Sequence, residues 1–142
     1  MDAGGPAFSA YPIATQSLPT NTFTKLVFGA EEFDTANCFD STTNYRFTPN
    51  VAGYYLITAN ALMAGAASSI ISIYKNGVEY KRGSQGAVSS SPLEIGVSAI
   101  VYLNGSTDYV ELFGFQGSGT TATILANNYA YSYFQGILLK AA

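Results

Sequence analysis

Tyr54-Tyr55-Leu56-Ile57-Thr58-Ala59-Asn60-Ala61-Leu62-Met63 is the stretch that decides the fold class. Along an extended strand successive side chains point to opposite faces, so residues two apart share one face. Tyr55, Ile57, Ala59, Ala61 and Met63 form a wholly apolar face. Tyr54, Leu56, Thr58, Asn60 and Leu62 form the other, mixed but still largely apolar. Such a strand wants cover on both faces.

The pattern recurs on either side. In 93–103, Leu93, Ile95, Val97, Ala99, Val101 and Leu103 share one face; Glu94, Gly96, Ser98, Ile100 and Tyr102 share the other, which becomes apolar towards its end. Asn76-Gly77 lies between 70–75 and 78–81, and Asn104-Gly105 lies between 93–103 and 109–115. Asn-Gly tolerates positive φ at both positions, so each pair predicts a tight hairpin. Further strands are expected at 7–11, 22–27, 45–48 and 129–139, separated by turn-rich stretches at 31–44, 83–92 and 117–128. No segment reads as a helix of three turns, and many short strands without helices indicate an all-β sandwich or jelly roll.

Composition narrows the function. The 142 residues suit a single domain, 1–142, with 1–6 as a flexible N-terminal lead. With one cysteine, Cys38, there is no internal disulfide, and with no histidine the usual zinc sets and histidine-based triads are excluded. Six cationic side chains against nine acids disfavour nucleic acid and anionic membranes as partners. No apolar stretch reaches the ~20 residues that span a bilayer, so no membrane insertion is expected, and the first residues lack the basic and apolar regions of a secretory signal. Charged residues make up only 11% of the chain, less than half the ~25% of ordinary domains. The 36 Ser, Thr and Asn residues and 11 Tyr must cover the surface instead. That suits a subunit whose faces are covered by its own copies, or one that contacts polar uncharged partners such as glycans.

Five elements in order resemble the C1q/TNF-like jelly-roll family, in its C1q-type branch. They are Pro6-Ala7-Phe8-Ser9-Ala10 at the start; Phe47-Thr48-Pro49-Asn50-Val51-Ala52-Gly53-Tyr54-Tyr55; Ile73-Tyr74-Lys75-Asn76-Gly77; Leu103-Asn104-Gly105-Ser106-Thr107-Asp108-Tyr109-Val110-Glu111-Leu112; and Phe134-Gln135-Gly136-Ile137-Leu138-Leu139. Ser106-Thr107 is inserted relative to the family's Gly-Asp element and Ile137 replaces its last aromatic, which marks a distant branch. The resemblance implies a ten-strand jelly-roll sandwich that assembles as a homotrimer. Aromatic residues are favoured at such interfaces. The expected trimer contacts are Phe8, Tyr54, Tyr102, Phe113 and Phe134, with burial in the core of the single subunit as the alternative for each.

Four features of the sequence are candidates for chemistry. Glu31, Glu32 and Asp34, with Asp40, concentrate carboxylates that suit a hard cation such as calcium; the alternative is a solvated acidic loop, and no cofactor is otherwise expected. Asn127, Asn128, Tyr129 and Tyr131, with Tyr133, form an amide-and-phenol cluster able to hold a glycan, against the alternative that alternating tyrosines merely pack on a strand. Cys38 has no neighbouring cation to activate it and reads as a small hydrophobe. Asn104-Gly105-Ser106 is formally a glycosylation sequon that a turn explains equally well. No catalytic constellation emerges, so the expected function is non-enzymatic.

The Ser, Thr, Asn, Gly and Tyr richness and the short lead resemble microbial and bacteriophage members of the family more than animal secreted ones. The expected setting is therefore a virion surface, as a tail-fibre head that binds a host receptor or glycan. Alternatives are a trimeric capsid decoration protein, a bacterial surface or spore-coat domain, or an extracellular animal-type module. Other virion or surface proteins are the remaining expected partners.

Overall fold

A computed structural model describes residues 4–86, 92–126 and 128–142. The chain forms two antiparallel sheets packed face to face. The first contains β1 (Ala7–Tyr11), β2 (Gln16–Leu18), β4 (Ala30–Asp34), β7 (Gly53–Ala64), β10 (Leu93–Leu103), β12 (Ala122–Ile124) and β13 (Tyr133–Ala141). The second contains β3 (Thr24–Lys25), β5 (Phe39–Asp40), β6 (Arg46–Phe47), β8 (Ser69–Lys75), β9 (Val78–Gly86) and β11 (Val110–Phe115). Among the described residues the one helix is a single turn, α1 (Asn128–Tyr131). The jelly roll expected from sequence is the fold observed. Among the described residues its strands come as thirteen segments instead of ten, several of them only two or three residues long.

The stretch that opened the reading is the centre of the first sheet. Its β7 carries β10 along one edge over eleven paired residues, and β13 and β12 in succession along the other. Every second residue from Tyr55 to Met63 is buried, as period-2 alternation requires. Between the sheets, Phe8 stacks on Phe39 and Phe47 with ring centroids 4.9 and 4.4 Å away, and meets Phe134 edge-on at 5.2 Å. Phe28 and Tyr55 close this cluster. The Tyr55 hydroxyl donates to the Val51 carbonyl at 2.6 Å, and burial, with a smaller contribution from Cys38, pushes its phenol up to about 12.

Phe8 and Phe134 are therefore not trimer contacts: both rings are wholly inside the subunit, where stacking across the sandwich gives each more apolar contact than a surface position would. The expected lead 1–6 also divides. Residues 1–3 lie outside the described part, whereas Pro6 is buried and its carbonyl accepts the Leu138 N–H, extending the ladder ahead of β1.

The two Asn-Gly pairs behave differently. Asn76 and Gly77 both have positive φ, 52° and 81°, and join β8 to β9 as a two-residue hairpin. Asn104-Gly105 does not make a hairpin, because β10 pairs with β7 in the first sheet while β11 pairs with β8 in the second. The loop instead carries the chain across the sandwich. The Asn104 side-chain oxygen accepts the N–H groups of Ser106, Thr107 and Asp108, and its amide donates to Thr107. This organises the loop and engages the sequon amide within it. Gly105, at φ 73°, lies so close to Ala52 and Val51 that a Cβ would overlap their backbone.

Gly105→Ala should accordingly cost about 3 kcal/mol or more, combining left-handed strain of roughly 1–2 kcal/mol with backbone displacement. Gly119→Ala, at φ 82° with open space around it, should cost only the roughly 1–2 kcal/mol of strain. Urea midpoints of the two variants measure the difference, and equal values would show that the approach to Ala52 constrains nothing.

Candidate functional site

The side of the first sheet that faces away from the core is unusually apolar. Cross-strand register places Tyr102 opposite Tyr54, and Ile100, Leu56, Ile137 and Ala7 in the next row across β10, β7, β13 and β1. A third row is polar: Ser98, Thr58, Gln135 and Ser9, ending on Phe33 of β4. The rings of Tyr54 and Tyr102 touch at 5.5 Å and both are exposed. Ile100, Ile137, Leu139 and Phe33 are each about half exposed, at 57, 49, 53 and 47%. Between Phe33, Leu56 and Ile137 a depression of about 270 Å³ opens over Ala7 and Gly136, with Thr58 and Gln135 on its polar rim.

The second sheet is finished differently. Its outward face carries a pile of half-buried aromatics: Tyr74 stacks on Phe113 at 3.9 Å, and Phe23 leans on Phe115 at 5.0 Å with Arg82 above it. Glu111, almost fully buried, accepts from Lys25 at 3.0 Å and from Arg46 at 3.1 Å, and Arg46 lies 3.8 Å over the Tyr109 ring. Arg82 pairs with Glu79 at 2.8 Å, which holds that carboxyl below its ordinary range. Among the described residues, the exposed large apolar side chains on the strands of this sheet are Val78 and Tyr80, both on the edge strand β9. One outer face is closed by charge pairing; the other presents two largely apolar rows, with Lys140 opposite Tyr54 and a polar row beyond them.

Of the expected trimer contacts, Tyr54 and Tyr102 lie together on the exposed apolar face. Phe113 lies on the opposite sheet, stacked on Tyr74, away from these two. Sequence reasoning missed Phe33, Leu56, Ile100, Ile137 and Leu139. The signal for Ile100 was present, since the second face of 93–103 turns apolar at its end. Phe33 was hidden because 31–44 reads as a turn-rich stretch, whereas Ala30–Asp34 pairs with β1 through a bulge.

The expected glycan cluster is partly relocated. Asn127 lies outside the described residues, and so does the side chain of Asn128. Tyr129 and Tyr131 do not alternate on a strand: they stand on α1, both exposed, and only from Tyr133 does the strand begin. The carboxylates considered as candidate calcium ligands do not converge. Asp34 accepts the Phe39 and Ala36 N–H groups, Glu32 accepts the Ser9 hydroxyl, and among the described residues no three ligating side chains gather. Burial pushes the Cys38 thiol up, in keeping with a packing role.

Comparison with known proteins bears on the fold. No family model matches the sequence and no curated protein matches it. Solved structures do match. The globular domain of zebrafish complement 1qA aligns with a TM-score of 0.73 at 20% identity, over 96% of this chain and 99% of that one. Murine APRIL aligns at 0.71 and 10% identity, over 96% and 100%. Eiger TNF from S. frugiperda aligns at 0.71 and 11% identity, over 97% and 93%. The chain has the C1q/TNF jelly-roll fold. Within this C1q/TNF-like sandwich, the apolar outer face belongs to the sheet that contains both β1 and β13, and the charge-paired face to the other.

Two variants test the electrostatics of this domain. Glu111→Gln removes the shared partner of Lys25 and Arg46. Because both cations keep partial contact with water, the loss should be about 1–3 kcal/mol instead of the larger cost of a fully buried orphan charge. A thermal melt measures it, and an unchanged midpoint would show the network to be ornamental. Asp40 accepts the N–H groups of Thr43, Thr42 and Asn44, which hold its carboxyl well below the usual range. Its folded pKa is depressed, so its contribution is present above the unfolded value of about 4 and is lost as pH falls towards the folded value. Asp40→Asn should therefore be less stable than the native chain at pH 7, with the gap narrowing below about pH 4. Urea titrations at pH 7 and pH 3 measure this, and a gap that widens in acid would reverse the assignment.

Proposed function

We infer that the protein is a non-enzymatic homotrimeric recognition module, assembled through the outer face of its first sheet. The observation that supports this is the concentration of half-exposed Tyr54, Tyr102, Ile100, Ile137, Leu139 and Phe33 on that one face. Half-exposed side chains of this size together present on the order of 500 Å², at the upper end of what a monomer leaves uncovered. The face is also polarised. Tyr54, Tyr102 and Ile100 protrude on the β10 side, while the 270 Å³ depression lies towards β1 and β4. A protrusion and a hollow at different places on one surface make a head-to-tail contact, and such contacts close into a ring when the rotation permits. Three copies close the ring, each placing its β10 side against the hollow of the next.

In this reading the trimer stands at the head of a fibre on a virion surface, with its loops and charge-paired faces turned outward to a receptor or glycan on the host. The low charge of the chain supports the assembly, and its hydroxyl, amide and phenol content supports contact with a polar, uncharged partner. Reinforcement of a capsid is the second use to which the same trimer is suited. No cofactor takes part.

Light scattering after size exclusion should give three times the 15.0 kDa chain mass at micromolar concentration. Leu56→Arg and Ile137→Arg should each yield a monomer with an unchanged β-sheet spectrum. A native chain that runs as a monomer, or arginine variants that stay trimeric, would overturn the assembly. Gold labelling of source particles then separates the settings: label at fibre tips supports recognition, whereas a regular array over the capsid supports reinforcement.

A further inference from the structure

The outer face of the first sheet carries a knob and a hollow, and their relative position fixes how copies of the chain fit together. Pairing runs from Ile100 to Leu56, from Leu56 to Ile137 and from Ile137 to Ala7, so these four residues form one row across the strands. Ile100 stands at one end of that row. Among the described residues it is the most exposed large apolar side chain on the strands of this sheet, at 57%. The hollow lies at the other end of the same row, over Ala7 and between Leu56, Ile137 and Phe33. A cavity of ~150 Å³ can hold a benzene, so a hollow of about 270 Å³ has room for a branched aliphatic side chain. Knob and hollow are displaced across the strands and not along them.

A head-to-tail contact closes into a ring only when each step has no rise along the rotation axis; any rise gives an open filament. An axis normal to the sheet would bring edges together, so for faces to meet the axis runs along the strands. Rotation about such an axis keeps every residue at its own level, and each row of one copy then meets the same row of the next. The rows are complementary at that register. Tyr102 shares its row with Lys140, which sets a cation against the face of a phenol ring. Ile100 shares its row with the apolar hollow, and Ser98 shares its row with Thr58 and Gln135 on the polar rim. A slip of two residues, about 7 Å, would press Ile100 onto the polar rim or leave the Ser98 hydroxyl over the apolar hollow. We propose that Ile100 of each copy seats in the hollow of the next copy at its own level, with Tyr102 against that copy's Lys140 and Ser98 against its Gln135. This rests on the trimer reading and adds to it the side chain that docks, the place that receives it and the register of the contact.

The test is a compensation series read by mass in solution over a range of concentrations, with the β-sheet spectrum as the check on folding. Ile100 and Ala7 both point away from the core, so changes there act on the contact and not on the subunit. Ala7→Leu fills the floor of the hollow and should give a monomer at micromolar concentration. Adding Ile100→Ala to it makes room again and should restore the trimer, whereas adding Tyr102→Ala, one row away, should not. Ile100→Ala alone should raise the concentration of half-dissociation at least about tenfold, since it withdraws most of one apolar side chain from each contact. A trimer indifferent to Ile100→Ala, an Ala7→Leu chain that stays trimeric, or rescue by Tyr102→Ala in place of Ile100→Ala would overturn this register and leave the trimer standing. A native chain that is monomeric would overturn the register and the trimer together.

Discussion

Everything in this sandwich depends on the pairing of β7 along both of its edges. A strand flanked on both sides cannot slip by one residue without turning Tyr55, Ile57 and Met63 outward, so its register is fixed by burial. Once it is fixed, β10 and β13 follow in register, and β1 follows β13. The aromatic cluster around Phe8 then locks the second sheet over the first. Phe8 is brought by β1, Phe134 by β13, and Phe39 and Phe47 by the opposite sheet, so the ends and middle of the chain meet in one contact set.

The same alternation that fills the core decides what the outside looks like. Residues between the buried positions of β7, β10 and β13 must point away from the core, and here they are Tyr54, Leu56, Ile100, Tyr102 and Ile137. The second sheet meets the equivalent problem by other means. Its outward aromatics stack on one another, and Glu111 gathers Lys25 and Arg46 above them. Five of the six cationic side chains lie on strands of that second sheet, against one on the first. It is thus the cations that are concentrated on the second sheet, since Glu31, Glu32, Asp34 and Glu94 lie on strands of the first, and the run from Leu112 to Leu139 carries no charge at all.

Much of the strand pattern was legible without coordinates. The extents of β1 and β10, the hairpin at Asn76-Gly77 and the two-sided character of β7 all follow from period-2 alternation and turn chemistry, which are local. What was not legible were partners and sides. Asn104-Gly105 carries the same turn signal as Asn76-Gly77, yet the strands it separates belong to different sheets, and local chemistry does not report which sheet a strand joins. Phe8, Phe113 and Phe134 are equally apolar in sequence, and their fates differ because the face each takes is set by its pairing partners. Tyr129 and Tyr131 alternate as a strand would, but a buried Ser132 and the Asn60 amide hold them on a helical turn.

The sequence by itself determined the class of the protein: all-β, two-layered, without histidine chemistry, and with strands too apolar on both sides for a single buried face. Those properties are written in composition and in spacings of two, and they survive any arrangement of the strands. Only the tertiary structure decided which apolar residues are core and which are surface, that Phe33, Ile137 and Tyr54 share one exposed face, and that two tyrosines stand on a braced turn. Those outcomes depend on register between strands more than forty residues apart in sequence, such as β7 with β13, where long-range pairing and not local preference sets the neighbour of each side chain.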